Sequence, residues 1–161
     1  MSSICRLLAV TLLATLLTPI QKADADDGRE VWLCLENIVT LDEFRSTCIG
    51  MVTNFCQQTN PDMQNSPGLV ACMGRETLAW DGALNGIYKE VRSKLPKPEQ
   101  AVLKSAQLGW IKDRDGTCAF EAIIGYRYSG SASAEAEARC KRNMTAERVV
   151  QLWYWRNVLN E

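Results

Sequence analysis

The sequence predicts an all-α fold: a small disulfide-bridged helical domain built around an antiparallel helix hairpin, with a further C-terminal helix. Three observations carry this. Apolar residues recur at helical spacing through much of the chain, with no alternating strand pattern of note. The segment PKP at 96–98 separates two long helical patterns by a tight break. Six cysteines lie beyond the leader, an even number that in an exported chain reads as three disulfides.

The N-terminus reads as a secretory signal peptide over residues 1–25. Basic Arg6 precedes the apolar run LLAVTLLATLLTPI, and Ala23 and Ala25 form an A-x-A cleavage site. The run is too short to span a bilayer comfortably, so no membrane span is expected. Cys5 lies before the run rather than at the cleavage point, which argues against a lipid anchor. Residues 26–161 then form a single domain. Loss of Arg6, Lys22 and Asp24 with the leader leaves a net charge of about −2, with no large charge field. A nucleic-acid partner is not expected, because phosphate binding needs a basic surface.

Along that domain, residues 31–58 read as helical but interrupted by Gly50 and the cysteines. QQTNPDMQNSP, 57–67, has loop chemistry. From Gly68 to Leu95 the pattern is helical, with Met73, Trp80, Leu84, Ile87, Tyr88, Val91 and Leu95 on one face. Pro98 suits the first turn of the next helix, expected to run to about Ala122. Two helices joined this tightly should pack antiparallel. GYRYSGSAS, 125–133, reads as a Gly/Ser loop, and a last helix is expected from Thr145, as N-cap, toward Leu159.

Cys34, Cys48, Cys56, Cys72, Cys118 and Cys140 allow fifteen pairings, and the sequence selects none of them. Proximity along the chain favours Cys118–Cys140 and Cys56–Cys72, which leaves Cys34 with Cys48. No CxxC spacing occurs, so a metal site is not expected. The chain has no histidine, which removes Ser-His-Asp and Cys-His catalysis. It has no Gly-rich phosphate loop either. The expectation is a non-enzymatic protein without cofactors.

The stretch SAQLGWIKDRDGTC, 105–118, packs several chemistry-bearing residues together. On a helix, Leu103, Gln107, Trp110, Ile111, Arg114 and Cys118 share one arc, while Gly109, Lys112, Asp113 and Gly116 lie roughly opposite. Gln107 and Arg114 are therefore directed coreward. A buried arginine needs an acidic partner or several acceptors. Asp81 and Glu76 flank the apolar stripe of the preceding helix, and Asp81 is the expected partner. Asp81, Gln107, Trp110 and Arg114 thus read as an interhelical clamp, with a charged binding pocket as the other reading.

Two motif blocks, ACMGRETLAWDGALNGIYKEV (71–91) and AQLGWIKDRDGTCAFEA (106–122), resemble the LprI-type lysozyme inhibitor N-terminal domain family. In that family a C…(A/W)D..LN..Y block precedes an AQ..W…RD..C block, then a G-S loop, a further cysteine and a T..R…L motif. Here the later features are Ser129–Gly130–Ser131, Cys140, and Thr145, Arg148 and Leu152. The likeness covers about 70 to 152. It implies an exported, small, helical, cysteine-bridged protein, and for some members inhibition of lysozyme.

An inhibitor needs a rigid scaffold that presents a contact surface, and disulfides lower the ordering cost. The candidate surface is the loop holding Tyr126, Arg127, Tyr128, Ser129, Gly130 and Ser131, because Tyr and Arg dominate interface energetics. In the C-terminal VVQLWYWRNVLN, Val149, Leu152, Trp153 and Arg156 share a face, while Tyr154 and Trp155 point elsewhere. Aromatics all round a helix are either packed or covered by a partner. The partner is a lysozyme or another exported protein. Other readings are an envelope adaptor, a chaperone-like module, or a saposin-like lipid binder.

Overall fold

The computed structural model describes residues 19–37, 40–129 and 132–161, with side chains from Asp26 onward and those of 128 and 129 excepted. Most of the predicted leader lies outside the described residues. Among the described residues there are six α-helices, a π-helical stretch and a short 3-10 turn, Pro61–Met63, and no strand. Helix α1 is Pro19–Asn37. The short α2, Leu41–Glu43, is capped by the Thr40 hydroxyl, which accepts the Glu43 N–H at 3.1 Å, and runs into a π-helical stretch, Phe44–Cys48. Gly50, with a φ of 100°, reverses the chain into α3, Met51–Thr59. That left-handed backbone favours glycine.

Helix α4, Ser66–Lys94, starts where the Asn65 side chain accepts the Gly68 N–H at 2.8 Å, with proline in the first turn. It stops at Leu95, extended because Pro96 follows. Helices α5, Lys97–Ser129, and α6, Ser133–Val158, complete the chain. The 95–96 turn makes α4 and α5 the predicted hairpin. Helix α6 packs along both of them, while α4 and α5 meet each other directly at few points. Side-chain pairs give the directions. Ser66–Glu135 and Glu90–Arg156 run α4 and α6 parallel; Gln107–Arg148 and Cys118–Cys140 run α5 and α6 antiparallel.

The predicted stripe of α4 is the spine of the core. Met73, Trp80, Leu84, Ile87 and Val91 are buried, and Tyr88 and Leu95 pack at its edge. Val31 and Leu35 of α1, and Ala146, Val149 and Leu152 of α6, close over it. Phe44 meets Trp80 edge-to-face at 5.5 Å, a favoured aromatic geometry. Asp27 is buried on α1 and takes both Nε and Nη2 of Arg75, the second at 2.7 Å.

The disulfides join sequence neighbours. Cys34–Cys48 ties α1 to the π-helical stretch, Cys56–Cys72 ties α3 to α4, and Cys118–Cys140 ties α5 to α6. Their loops of 14, 16 and 22 residues should each contribute about 3 kcal/mol by restricting the unfolded chain. Among the described residues no helix is long and apolar enough to cross a membrane.

Two boundaries differ from the sequence expectation. The presumed loop 125–133 is largely helix, since α5 runs on to Ser129 and α6 begins at Ser133. The run SAEAEAR, 133–139, is made mainly of strong helix formers, so the last helix starts well before Thr145. Thr145 is not a cap; its hydroxyl donates to the Lys141 carbonyl at 2.7 Å within the helix. Gly125 is a close-approach residue rather than a loop residue. A Cβ there would lie 2.9 Å from the Ala136 Cβ and 3.1 Å from the Ala132 carbonyl oxygen.

This contact makes a paired prediction. Gly125→Ala should lower stability by about 1–2 kcal/mol, because neither rigid neighbour can yield cheaply. Gly109→Ala, on the same helix with nothing within 4 Å of its Cβ, should raise stability by about 0.5–1 kcal/mol. Urea unfolding of the oxidised variants measures both.

Candidate functional site

The expected ion pair between Asp81 and Arg114 does not form. Arg114 is held by Asp115, its sequence neighbour, at 2.9 Å, and Nη1 reaches the Thr145 hydroxyl at 3.5 Å. Its guanidinium lies over the Trp110 ring, 5.1 Å from the centroid. Asp81 instead accepts from Asn85, one turn along α4, at 3.0 Å. The physical reason is α6. It takes the contacts that α4 and α5 would otherwise share, so Asp81 and Arg114 line a cleft of about 400 Å³ without touching.

Arg148 of α6, rather than Arg114, is the buried arginine of this seam. It is only 7% exposed, and its Nε donates to the Gln107 Oε1 at 3.0 Å across the α5–α6 seam. Nη1 donates to Gln151, and the guanidinium lies between Trp110 at 5.7 Å and Trp155 at 5.2 Å. Burial pulls its pKa below the usual arginine value. Gln107 and Trp110 thus do belong to a clamp, but with Arg148 at its centre. The signal was available in the spacing Thr145, Arg148, Val149, Leu152. This puts all four on one helical face, and all four are buried.

A second buried charge sits across the bundle. Glu76, fully buried on α4, accepts the Gly50 N–H at 2.7 Å, the Thr53 N–H at 2.9 Å, the Thr53 hydroxyl at 2.6 Å and the Trp80 Nε1–H at 3.1 Å. Arg142 of α6 donates to the same Thr53 oxygen at 3.4 Å. Burial lowers the Arg142 pKa, an effect partly offset by Glu76. Glu76 therefore caps the N-terminus of α3 from another helix. Glu76 lay on the far edge of the α4 stripe in the sequence; of its four donors only Trp80, one turn along α4, is local, and the other three belong to Gly50 and Thr53.

A groove of about 700 Å³ opens where α2 and the π-helical stretch face α6 and Trp110 of α5. Leu41, Phe44, Trp110, Trp153 and Tyr154 give it an apolar lining, and Arg148 gives it a charge. Arg45 and Glu147 also line it and pair at 3.2 Å. The aromatics of α6 are partly accounted for inside the molecule. Trp153 meets Trp32 edge-on at 5.8 Å and carries Arg156 over its face at 4.4 Å; Trp155 faces Arg148; Tyr154 stays exposed.

Of the six residues expected in a contact loop, Tyr126 and Arg127 lie in the last turns of α5 and are exposed, Tyr126 by 68%. Tyr128 and Ser129 continue that helix, but their side chains, with Gly130 and Ser131, lie outside the described residues. Phe120 and Ile123, 61% and 55% exposed, precede Tyr126 at three-residue spacing. The end of α5 thus carries an exposed apolar ridge that the loop reading missed.

The two buried charges predict different costs from surface ones. Glu76→Ala should cost about 3–5 kcal/mol, because it orphans four donors. Arg148→Ala should cost about 2–3 kcal/mol by leaving the Gln107 oxygen unpaired and emptying the slot between two tryptophans. Arg114→Ala, whose ion partner is exposed, should cost under about 1 kcal/mol. Chemical unfolding followed by tryptophan fluorescence separates the three.

No curated protein and no solved structure matches the chain. The family model described as lysozyme inhibitor LprI matches residues 56–152, a span that holds α4, α5 and the seam residues Gln107, Trp110 and Arg148. With more than half its length matched, the chain belongs to the LprI lysozyme inhibitor family.

Proposed function

We propose that the chain is exported, loses residues 1–25, and acts in its oxidised form as a non-catalytic lysozyme inhibitor. The observation that carries this reading is the family match over 56–152, which spans the whole of α4 and α5. Three disulfides support it, because such bonds persist in an oxidising compartment such as a periplasm or the cell exterior. Cleavage after Ala25 leaves Asp27, which the Arg75 contact requires, in the mature chain.

The contact surface in this reading is the end of α5 and the turn beyond it. Phe120, Ile123, Tyr126 and Arg127 project from a helix that Cys118–Cys140 fastens to α6. Large aromatic and arginine side chains on a stiff support make effective anchors, because little freedom is lost on binding. The same ridge would serve an envelope adaptor that holds another exported protein. The buried Glu76 and Arg148 count against a saposin-like lipid binder, which needs an apolar interior.

Purified oxidised protein should slow the lysis of peptidoglycan-containing cells by a C-type lysozyme at roughly micromolar concentration. Tyr126→Ala with Arg127→Ala should weaken that inhibition by at least about tenfold while the melting temperature stays unchanged. Absence of inhibition across several lysozymes would leave the adaptor reading in its place.

A further inference from the structure

We infer that the groove between α2, α5 and α6 is a binding site for a small organic monocarboxylate with an aromatic or aliphatic body, whose carboxylate is held by Arg148. This site is distinct from the α5 ridge and does not rest on the lysozyme reading.

The charge in the groove is the first argument. Arg45 and Arg148 supply two positive charges and Glu147 one negative charge among the lining residues. Glu147 is engaged by Arg45, so the uncompensated cation is Arg148. Arg148 forms no ion pair with any described carboxylate; its neighbours are two neutral amides and two tryptophan rings. Its Nη2 is buried with no hydrogen-bond partner among the described residues. A buried guanidinium usually engages all its donors, since an unmatched one is costly. An orphan donor on a nine-tenths-buried arginine that lines a cavity is thus an unused prong of a two-pronged donor fork, itself covered in the structure.

Geometry says which half is filled and how a ligand would enter. Nε is committed to Gln107 on the inner side, which fixes the plane of the guanidinium. Nη1 is occupied only by Gln151, an exposed side chain on the next turn of α6. A carboxylate that displaces the Gln151 carbonyl takes Nη1 with one oxygen, and engages Nη2 with the other once the wall over that buried atom opens. No atom of the core has to move for the exchange at Nη1. Charge–charge hydrogen bonds are roughly twice as strong as neutral ones, so the exchange favours the ligand.

The lining then sets the rest of the ligand. Phe44, Leu41, Trp110, Trp153 and Tyr154 offer apolar and aromatic surface, and a volume of about 700 Å³ is the size of ordinary small-molecule sites. With Glu147 paired to Arg45, Arg148 leaves the lining with one uncompensated positive charge, which suits a monoanion. Two of the wall residues are tryptophans, so occupancy is directly observable.

Hydrocinnamate and its uncharged, nearly isosteric amide, hydrocinnamide, make the test. The oxidised protein should bind hydrocinnamate saturably by calorimetry and tryptophan fluorescence. The amide should bind at least about tenfold more weakly, and the Trp110 and Trp153 indole N–H resonances should shift only with the acid. Arg148→Lys keeps the charge but loses the fork, and should weaken hydrocinnamate by about tenfold. Gln151→Ala removes the competing acceptor from an exposed position. It should fold as the parent does and tighten binding about threefold, which keeps the assignment testable if Arg148→Lys fails to fold. Equal binding of acid and amide, absence of saturable binding, or weaker binding in Gln151→Ala would each overturn the assignment.

Discussion

The carboxylate of Glu76 is the contact on which the rest of the bundle depends. It reaches from α4 to the chain reversal at Gly50 and the first turn of α3, and through Thr53 it meets Arg142 of α6. Two separate stretches of chain, 50–53 and α6, are thereby held to one side chain of α4. Its bond to the Trp80 indole fixes that ring, and Trp80 in turn receives Phe44. Phe44 forms part of the groove wall, so the shape of the groove traces back to a carboxylate on the far side of the core. A buried charge carries a large desolvation cost and is tolerated only when its acceptor positions are filled. Glu76 meets that condition with four donors, two of them backbone N–H groups of a helix N-terminus.

Arg148 is the contrasting case. Among the described residues it is buried without a carboxylate, stabilised by two amides and by tryptophan faces, and one of its donors is unmatched. A domain of this size has limited apolar surface to bury, and three short disulfide loops offset part of that shortage. The bridges act locally, each between neighbours in sequence. Long-range order therefore rests on the apolar core, on the buried charges Asp27, Glu76 and Arg148, and on α6, which is in contact with both α4 and α5.

The sequence conveyed the helical class, the α4 stripe and the position of the α4–α5 break, because each depends on local patterns: apolar period and proline. It left cysteine pairing open, favouring by proximity the arrangement now seen. It misplaced the start of α6 because Gly125, Gly130 and the serines look like loop chemistry, whereas Gly125 is there to admit Ala136. It also misassigned the clamp. Gln107 is buried and Trp110 partly so, but the choice between Arg114 and Arg148 turned on which helix faces α5. Loop length favours the immediate neighbour, α4, while the packing favours α6. Glu76 could not have been assigned its partners from sequence, since two of its donors are backbone groups set by a left-handed glycine.

The ridge and the groove stand at different levels of the same helix pair. Trp110 in the groove and Tyr126 on the ridge are sixteen residues apart on α5, which is roughly 24 Å along a straight helix. Between them lies the Cys118–Cys140 bridge, which pins α5 to α6 at an intermediate level. A ligand that exchanges with Gln151 acts at Arg148, on the groove side of that pin. The helix end beyond the pin keeps its geometry, so occupancy of the groove and contact through the ridge are separable physical events. Coupling between them would require α5 and α6 to have two discrete arrangements. The close approach of Gly125 to Ala136, together with the disulfide, leaves little room for a second one.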